Sequence, residues 1–451
     1  MKPNLFHRSA LALAITGTAA MPSLVWSESL LDGSSAVLTL REAPGSYEID
    51  GFDMVSLPGG SFVVVWAENG SGSPGRVMLG LFNSSGQPII SARPLVQGNS
   101  SGDAFEFPAV AADQAGNLVV AWTVPQSGSA NSTNCGGNAT SDIDGLLFSP
   151  PYTSSSALPL YESMGSNPCG VDIAMDNDGD FVLVWHTDSS SANYDLSIQS
   201  YLSGGVPSRG RKALHSINYL AGIAQNNDQK VLIGWEDYDN YPTIDGSILD
   251  LHLNPILSSV DLDNGHVLSS DSSVSSVNVA PDRDGGFVSS WLEGSDDDIY
   301  FQRWNANGYP NGTPQLINNL IVTSSTYADN LSFASDSEGH LVAVWGIFGN
   351  ENSVGSFAVD VANNTIAEGG VRITGSLSDT LKHGPEIAMN NDVIAIGWVP
   401  NDRKTIDARV LQPLASESST NTDDSLLGSL NHFVMLVLAG LLGLYRRRLR
   451  H

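Results

Sequence analysis

Runs of apolar residues recur along the chain, and seven of them end on tryptophan: Gly60-Ser-Phe-Val-Val-Val-Trp66, Gly116-Asn-Leu-Val-Val-Ala-Trp122, Gly179-Asp-Phe-Val-Leu-Val-Trp185, Gln229-Lys-Val-Leu-Ile-Gly-Trp235, Gly285-Gly-Phe-Val-Ser-Ser-Trp291, Gly339-His-Leu-Val-Ala-Val-Trp345 and Asp392-Val-Ile-Ala-Ile-Gly-Trp398. These tryptophans lie 56, 63, 50, 56, 54 and 53 residues apart, so the pattern is a repeat of about 55 residues. A shorter apolar stretch precedes each run and is often led by Pro or Gly, as in Pro108-Ala-Val-Ala, Gly170-Val-Asp-Ile-Ala and Pro385-Glu-Ile-Ala. An Asp/Asn/Gly turn such as Asp176-Asn-Asp-Gly179 or Asp282-Arg-Asp-Gly285 joins the two. After the Trp come a polar loop, a third strand (Val77 to Phe82, Leu196 to Tyr201, Ile299 to Trp304, Ile406 to Leu411), a Gly/Asn turn and a weaker fourth strand. Short β-branched and aromatic runs bounded by turn residues predict an antiparallel meander.

Four strands in about 50 residues, repeated seven times, predict an all-β protein. Such a sheet buries its faces only against its neighbours, which favours a closed seven-bladed β-propeller of four-stranded blades over residues 28–415. Length alone suggests about three domains; the repeat replaces them with one. No fourth strand follows Leu411 before the Ser/Thr linker, whereas Ala36-Val-Leu-Thr-Leu-Arg41 precedes the first repeat, so this N-terminal strand is expected to close blade seven. In repeats four and seven, Gln229 and Asp392 replace the turn glycine, and Asn227 or Asn391 is expected to take the left-handed backbone conformation instead. The closest copy of a wider motif is Asp282 to Trp291, followed by Ile299-Tyr-Phe-Gln302-Arg-Trp304 and Gly308-Tyr-Pro310. It resembles the Asp-x-x-Gly-x-(apolar)4-Trp repeat of large secreted and surface bacterial proteins, which implies a propeller on an exported protein.

The two ends carry targeting signals. Lys2 and Arg8 precede the apolar run Ala10 to Ala20, and the segment reaches Val25-Trp26-Ser27, the pattern of a secretory signal peptide over residues 1–27, cut after Ser27 or Ala20. At the other end a Ser/Thr/Asp linker (416–425) leads into Leu426 to Tyr445, 20 residues long and about 30 Å as a helix, then into the arginine-rich tail 446–451. The positive-inside rule keeps that tail cytoplasmic and puts the body in the periplasm or at the cell surface. This order resembles the PEP-CTERM and GlyGly-CTERM sorting tails, although neither a Pro-Glu-Pro nor a Gly-Gly precedes the helix. A permanent single-pass anchor and a processed, released body are both expected alternatives.

Charge narrows the partners. The chain has 20 basic and 48 acidic residues, and the terminal segments hold six of the bases and no acid, so residues 28–425 carry a net −34. Such a surface gains no counterion release from phosphates, which excludes a nucleic-acid partner. A monomer with a glycan or protein ligand is expected, with the membrane as partner of the C-terminal helix.

Candidate chemistry is sparse. The repeat residues Trp66, Trp122, Trp185, Trp235, Trp291, Trp345 and Trp398 can be sugar platforms, but their fixed place at the end of an apolar strand fits packing between blades. The turns Asp176-Asn-Asp178-Gly179-Asp180 and Asp282-Arg-Asp284-Gly285 are oxygen-rich but lack the spacing of a calcium loop, so no cofactor is expected, with calcium the one ion left open. Acids that follow the Trp (Glu68, Asp188, Glu236, Asp237 and Glu293, with the run Asp296-Asp297-Asp298) are candidates for a cation-binding rim, weighed against a solvated acidic surface. Gly98-Asn-Ser100-Ser-Gly102 lacks the strand-to-helix context of a nucleophile elbow. The nine His show no metal-binding spacing. The turns do not match the sialidase-type Ser-x-Asp-x-Gly-x-x-Trp box. Cys135 and Cys169, the only cysteines, are expected to form a disulfide in an oxidising compartment. No residue is assigned a catalytic role. The sequence therefore favours a non-catalytic binding or adhesion module, whose channel should lack a convergent His, Arg or paired-carboxylate cluster. The alternative is a polysaccharide hydrolase or lyase working on the channel face, by analogy of fold.

Overall fold

Each Trp-terminated run forms the second strand of an antiparallel sheet, paired on one side with the short stretch before it and on the other with the strand after it. The structure, a computed structural model, describes residues 36–411 apart from 102, 126–140, 162–166, 189–193, 218, 238–242, 266–273, 294–297, 318–325, 338, 350–352, 361–364, 367–370 and 375–380. The described strands fall into seven sheets, six of four strands and one of five. This corrects the expectation of four strands throughout, because in sheet six both Thr365–Ile366 and Val371–Arg372 pair with the third strand Ser353–Asp360. A register pair of only two residues occupies too little of that edge to exclude a second one.

The first strands of the sheets are Tyr47–Ser56, Glu106–Ala112, Asn167–Met175, Tyr219–Gln225, Val274–Pro281, Thr326–Ser335 and Leu381–Asn390. Each lies against the first strand of the sheet before it and the sheet after it, and Leu381–Asn390 lies against Tyr47–Ser56, so the ring closes around these seven strands. The fold is a β-propeller. Leu38–Glu42 pairs with Thr405–Leu411 and supplies the outermost strand of the last sheet. Chain start and chain end therefore share one blade.

The repeat tryptophans pack rather than face solvent. Trp66 and Trp185 are fully buried, and Trp122 is 3% exposed. Alternate residues of each second strand point to opposite faces, so one strand feeds two inter-blade cores. Val63, Val65 and Ala67 join Val120 and Trp122 of the next blade, whereas Phe62, Val64 and Trp66 join Val393, Ala395 and Val399 of the last blade. Each indole thus fills the wedge towards the preceding blade, burying about 200 Å², roughly 5 kcal/mol of transfer free energy.

The turn glycines have two reasons to be glycine. Gly179 has φ +88°, and a Cβ there would meet a carboxylate oxygen of Asp113, in the previous blade's turn, at 2.9 Å. A Cβ at Gly60 (φ +79°) would meet the Cβ of Asp392, in the last blade's turn, at 3.1 Å. The repeats without that glycine differ from expectation. In repeat four Gln229 itself is left-handed (φ +58°), not Asn227, because the Asn226 side-chain carbonyl accepts the N–H groups of Asp228 and Lys230 and pins the turn. In repeat seven neither Asn391 nor Asp392 is left-handed. There the strands end at Asn390 and resume at Val393, and this tighter turn needs no such residue.

No helix among the described residues is long and apolar enough to cross a membrane. The expected signal peptide 1–27, linker 416–425, helix 426–445 and tail 446–451 lie outside the described residues, as does Cys135 and with it the expected pairing to Cys169.

Candidate functional site: the central channel

Every first strand breaks register with its neighbour at or just upstream of one position. That position pairs with the residue before the repeat Trp in all seven sheets: Asp53 with Val65, Ala109 with Ala121, Asp172 with Val184, Gly222 with Gly234, Asn278 with Ser290, Ser332 with Val344 and Glu386 with Gly397. Gly51, Gly170 and Asn330, each two residues upstream, are left-handed, and Pro108 and Pro385 stand one upstream. These are the marks of a β-bulge, which re-aims the side chains that follow it. Six of the seven positions line a central cavity of about 500 Å³.

Three of the seven are carboxyl groups. Asp53 accepts the backbone N–H of Met54 and, across the blade joint, that of Val110, both at 2.7 Å. Asp172 accepts from the N–H of Ile173 at 2.7 Å and also from that of Ile223 in the next blade. Glu386 accepts from the Ser332 hydroxyl of the preceding blade, at 3.1 Å. All three retain some contact with the channel but lie deep in the molecule. Burial pushes Asp53 up to about 7 and Asp172 up to about 6, and the amide hydrogen bonds only partly offset it. Burial, and then the charges of Asp53 and Asp172, push Glu386 up as well. The bases on the lining are Lys382 and His383, at the mouth. His383 lies 3.9 Å from Asp50, but burial and Lys382 hold it down to about 4, so it is neutral at pH 7 and the contact is not an ion pair.

The acids named from the sequence sit elsewhere. Glu68 is wholly buried and takes Arg41 Nε at 2.6 Å, Arg76 Nη2 at 2.5 Å and the Trp66 indole N–H at 2.8 Å. Burial alone would raise it, but these three donors hold it below the usual carboxylate range. Arg41 belongs to the closing strand, so this pair stitches the last blade to the first. Glu236 is buried and Glu293 half-buried, while the side chains of Asp188 and Asp237 and residues 296 and 297 lie outside the description. In the candidate calcium turn, one Asp176 oxygen accepts the N–H groups of Asp178 and Asp180 and the other accepts from Gln225. Among the described residues no group of three or more His, Cys, Asp or Glu is arranged to hold a metal ion.

The expectation of a channel without a carboxylate cluster is therefore corrected. Asp172 and Glu386 sit in the stretches read only as short strands led by Gly or Pro, because the bulge those residues create was not visible as such.

No family description and no curated protein matches the sequence. Among solved structures the chain resembles a protein of unknown function from Dyadobacter fermentans DSM 18053, with a TM-score of 0.50 and 10% identity over 84% of this chain and 99% of that one. It also matches the Hadza microbial sialidase Hz136 (TM-score 0.46, 10% identity, 83% of this chain and 68% of that one) and the α-L-arabinofuranosidase Arb93A from Fusarium graminearum (TM-score 0.46, 10% identity, 68% and 92%). At such identity the first likeness is one of fold.

Proposed function

We propose that the protein is an exported, seven-bladed propeller that holds a neutral or amine-bearing glycan in its central channel without covalent chemistry. The observation that carries this reading is the engagement of the channel acids. Hydrolysis by a carboxyl pair needs one carboxyl free to protonate the leaving oxygen and a second free to attack the sugar or to activate a water. Both oxygens of Asp53 are held by backbone N–H groups and Asp172 accepts two backbone N–H groups, whereas Glu386 accepts from the Ser332 hydroxyl. A cavity of about 500 Å³ falls within the usual size of ligand sites. Its Asn278, Ser332 and Glu386 offer acceptors to sugar hydroxyls, and Asp172, raised only to about 6, keeps a negative charge at pH 7 that repels uronate or sulfate. The convergence of carboxyls is also what a polysaccharide hydrolase or lyase would show, and this is the second reading. A glycan array followed by reducing-sugar assays on the hits separates them. The expected result is binding to neutral or amino glycans, no turnover, and loss of binding on filling the channel with Asn278→Trp. Turnover abolished by Glu386→Gln would establish the hydrolase; hits that survive Asn278→Trp would place the ligand elsewhere.

A further inference from the structure

All six large apolar side chains that stand exposed among the described residues lie on one rim of the propeller. Ile89 follows Pro88 at the start of blade one's fourth strand, Pro88–Gln97. Leu202 and Val206 face each other across the last hairpin of blade three. Ile256 follows Pro255 in the fourth strand Pro255–Asp261 of blade four, and Tyr309, 63% exposed, sits in the equivalent hairpin of blade five. Val37 directly precedes Leu38–Glu42, the fourth strand of blade seven. In blade two the corresponding Tyr152 is tucked in, its hydroxyl donating to the Gly116 carbonyl at 2.9 Å. The corresponding stretch of blade six, 361–364, falls outside the described residues.

This rim shares a face with the turns between first and second strands, because the first and third strands of a meander run the same way. Hydrogen bonds join the two sets of turns: the Ser203 N–H donates to Asp180 at 2.8 Å, and Lys230 Nζ donates to the Ala306 carbonyl at 2.5 Å. The channel mouth lies at the other end, since Lys382 and His383 begin the first strand Leu381–Asn390 and Asn390 reaches the turn. The chain also leaves by the rim. Leu411, the last described residue, pairs with Ile394 beside the turn at 390–393. We propose that this rim is a membrane-contact surface, seated on a lipid bilayer so that the channel mouth opens away from it. The inference rests on reading 426–445 as a membrane span and does not depend on what the channel binds.

Single exposed apolar residues are ordinary on a protein surface. What needs an account here is their confinement to the face by which the chain departs. Residues 412–425 separate Leu411 from the apolar stretch, and a flexible chain of that length spans about 20 Å on average. The ten residues of Leu381–Asn390 rise about 33 Å, so such a tether favours the rim over the opposite face as the side turned to lipid. Tethering also supplies an effective concentration on the order of millimolar, so a few partly inserted side chains suffice. Tyr309 suits the headgroup level, where tyrosine is enriched. A second copy is a poorer occupant: it would bring two acidic bodies together across this face, the exposed Asp284 and Asp392 included, whereas a zwitterionic lipid surface has no net charge to oppose it.

The test uses the full chain reconstituted into phosphatidylcholine vesicles. An environment-sensitive fluorophore is attached at Gln87→Cys, beside Ile89 on the rim, or at Ser71→Cys, in the hairpin at the opposite end of the same blade. Both side chains are exposed and both variants leave the six apolar residues in place; wild type, with Cys135 and Cys169 alone, supplies the labelling background. With a spin label on the lipid headgroup, the probe at Gln87→Cys should lose most of its emission and the probe at Ser71→Cys should keep it. Adding Ile89→Asp, Val206→Asp and Tyr309→Asp should restore the rim probe's emission while the protein still floats with the vesicles. Equal quenching at the two positions, or rim quenching that survives the triple substitution, would overturn the contact. So would a chain that does not float with the vesicles, or a dimer in detergent whose mass halves in the triple variant, which would assign the rim to a second copy. Failure of the glycan reading would show on the array alone, so the two outcomes stay distinct.

Discussion

Glu68 shows how one buried charge decides a joint. Its carboxylate is enclosed by Arg41 of the closing strand, Arg76 of its own sheet and the Trp66 indole, while Arg76 stacks over Tyr47 at 4.1 Å and Arg41 lies 5.7 Å from the Trp66 ring. Removing one partner of such a pair leaves the others desolvated and uncompensated. Glu68→Ala should therefore cost about 3 kcal/mol, near the lower end for a buried pair because both guanidinium groups keep 19% exposure. Urea unfolding of wild type and variant checks it; a change within a few tenths of a kcal/mol would show that the pair contributes nothing. Because Glu68 is held low when folded, its contribution is present above the usual carboxylate range and is lost as pH falls through the folded value.

At the scale of elements, the closing strand Leu38–Glu42 ties the start of the described chain to its last blade. It pairs on one side only, with Thr405–Leu411, and its register slips between Thr39 and Arg41. Its anchors are the Thr39 hydroxyl on Asp407 at 2.9 Å, Arg41 on Glu68, and the Ala43 N–H on the Lys404 carbonyl at 2.7 Å. Deleting residues 28–42 should remove the Thr39 and Arg41 anchors, expose the edge of Thr405–Leu411 and promote aggregation. Size-exclusion chromatography and a melting curve test this, and a monomeric truncated body with unchanged melting temperature would show that the strand is dispensable. The four-strand pattern of each blade was legible because β-branched runs and turn residues alternate at a fixed spacing. The extra strand of sheet six was not, since two-residue pairs such as Val371–Arg372 carry no periodicity.

At the scale of the whole molecule, the prediction concerns where the propeller is found. If the helix 426–445 is retained, the protein should pellet with membranes and its C-terminal peptide should include Arg446 to Arg448, because about 20 apolar residues leave lipid only at prohibitive cost. If the tail is processed near Gly428, the body should appear in the surface or medium fraction, about 23 residues shorter. Mass spectrometry of the C-terminal peptide from each fraction distinguishes the two, and an intact soluble protein ending at His451 would contradict both.

The repeat, the all-β class and the packing role of the tryptophans were determined by the sequence alone, because each rests on local spacing: an indole at the end of an apolar strand, a turn residue six positions earlier, about 55 residues to the next copy. The channel site was decided only by the tertiary structure. Asp53, Asp172 and Glu386 are separated by more than a hundred residues from one another along the chain and share no motif. They meet because a bulge in each first strand turns the same register position inward, and because ring closure brings the seventh blade against the first. Their proton affinity likewise follows from depth within the ring, a property that composition does not encode.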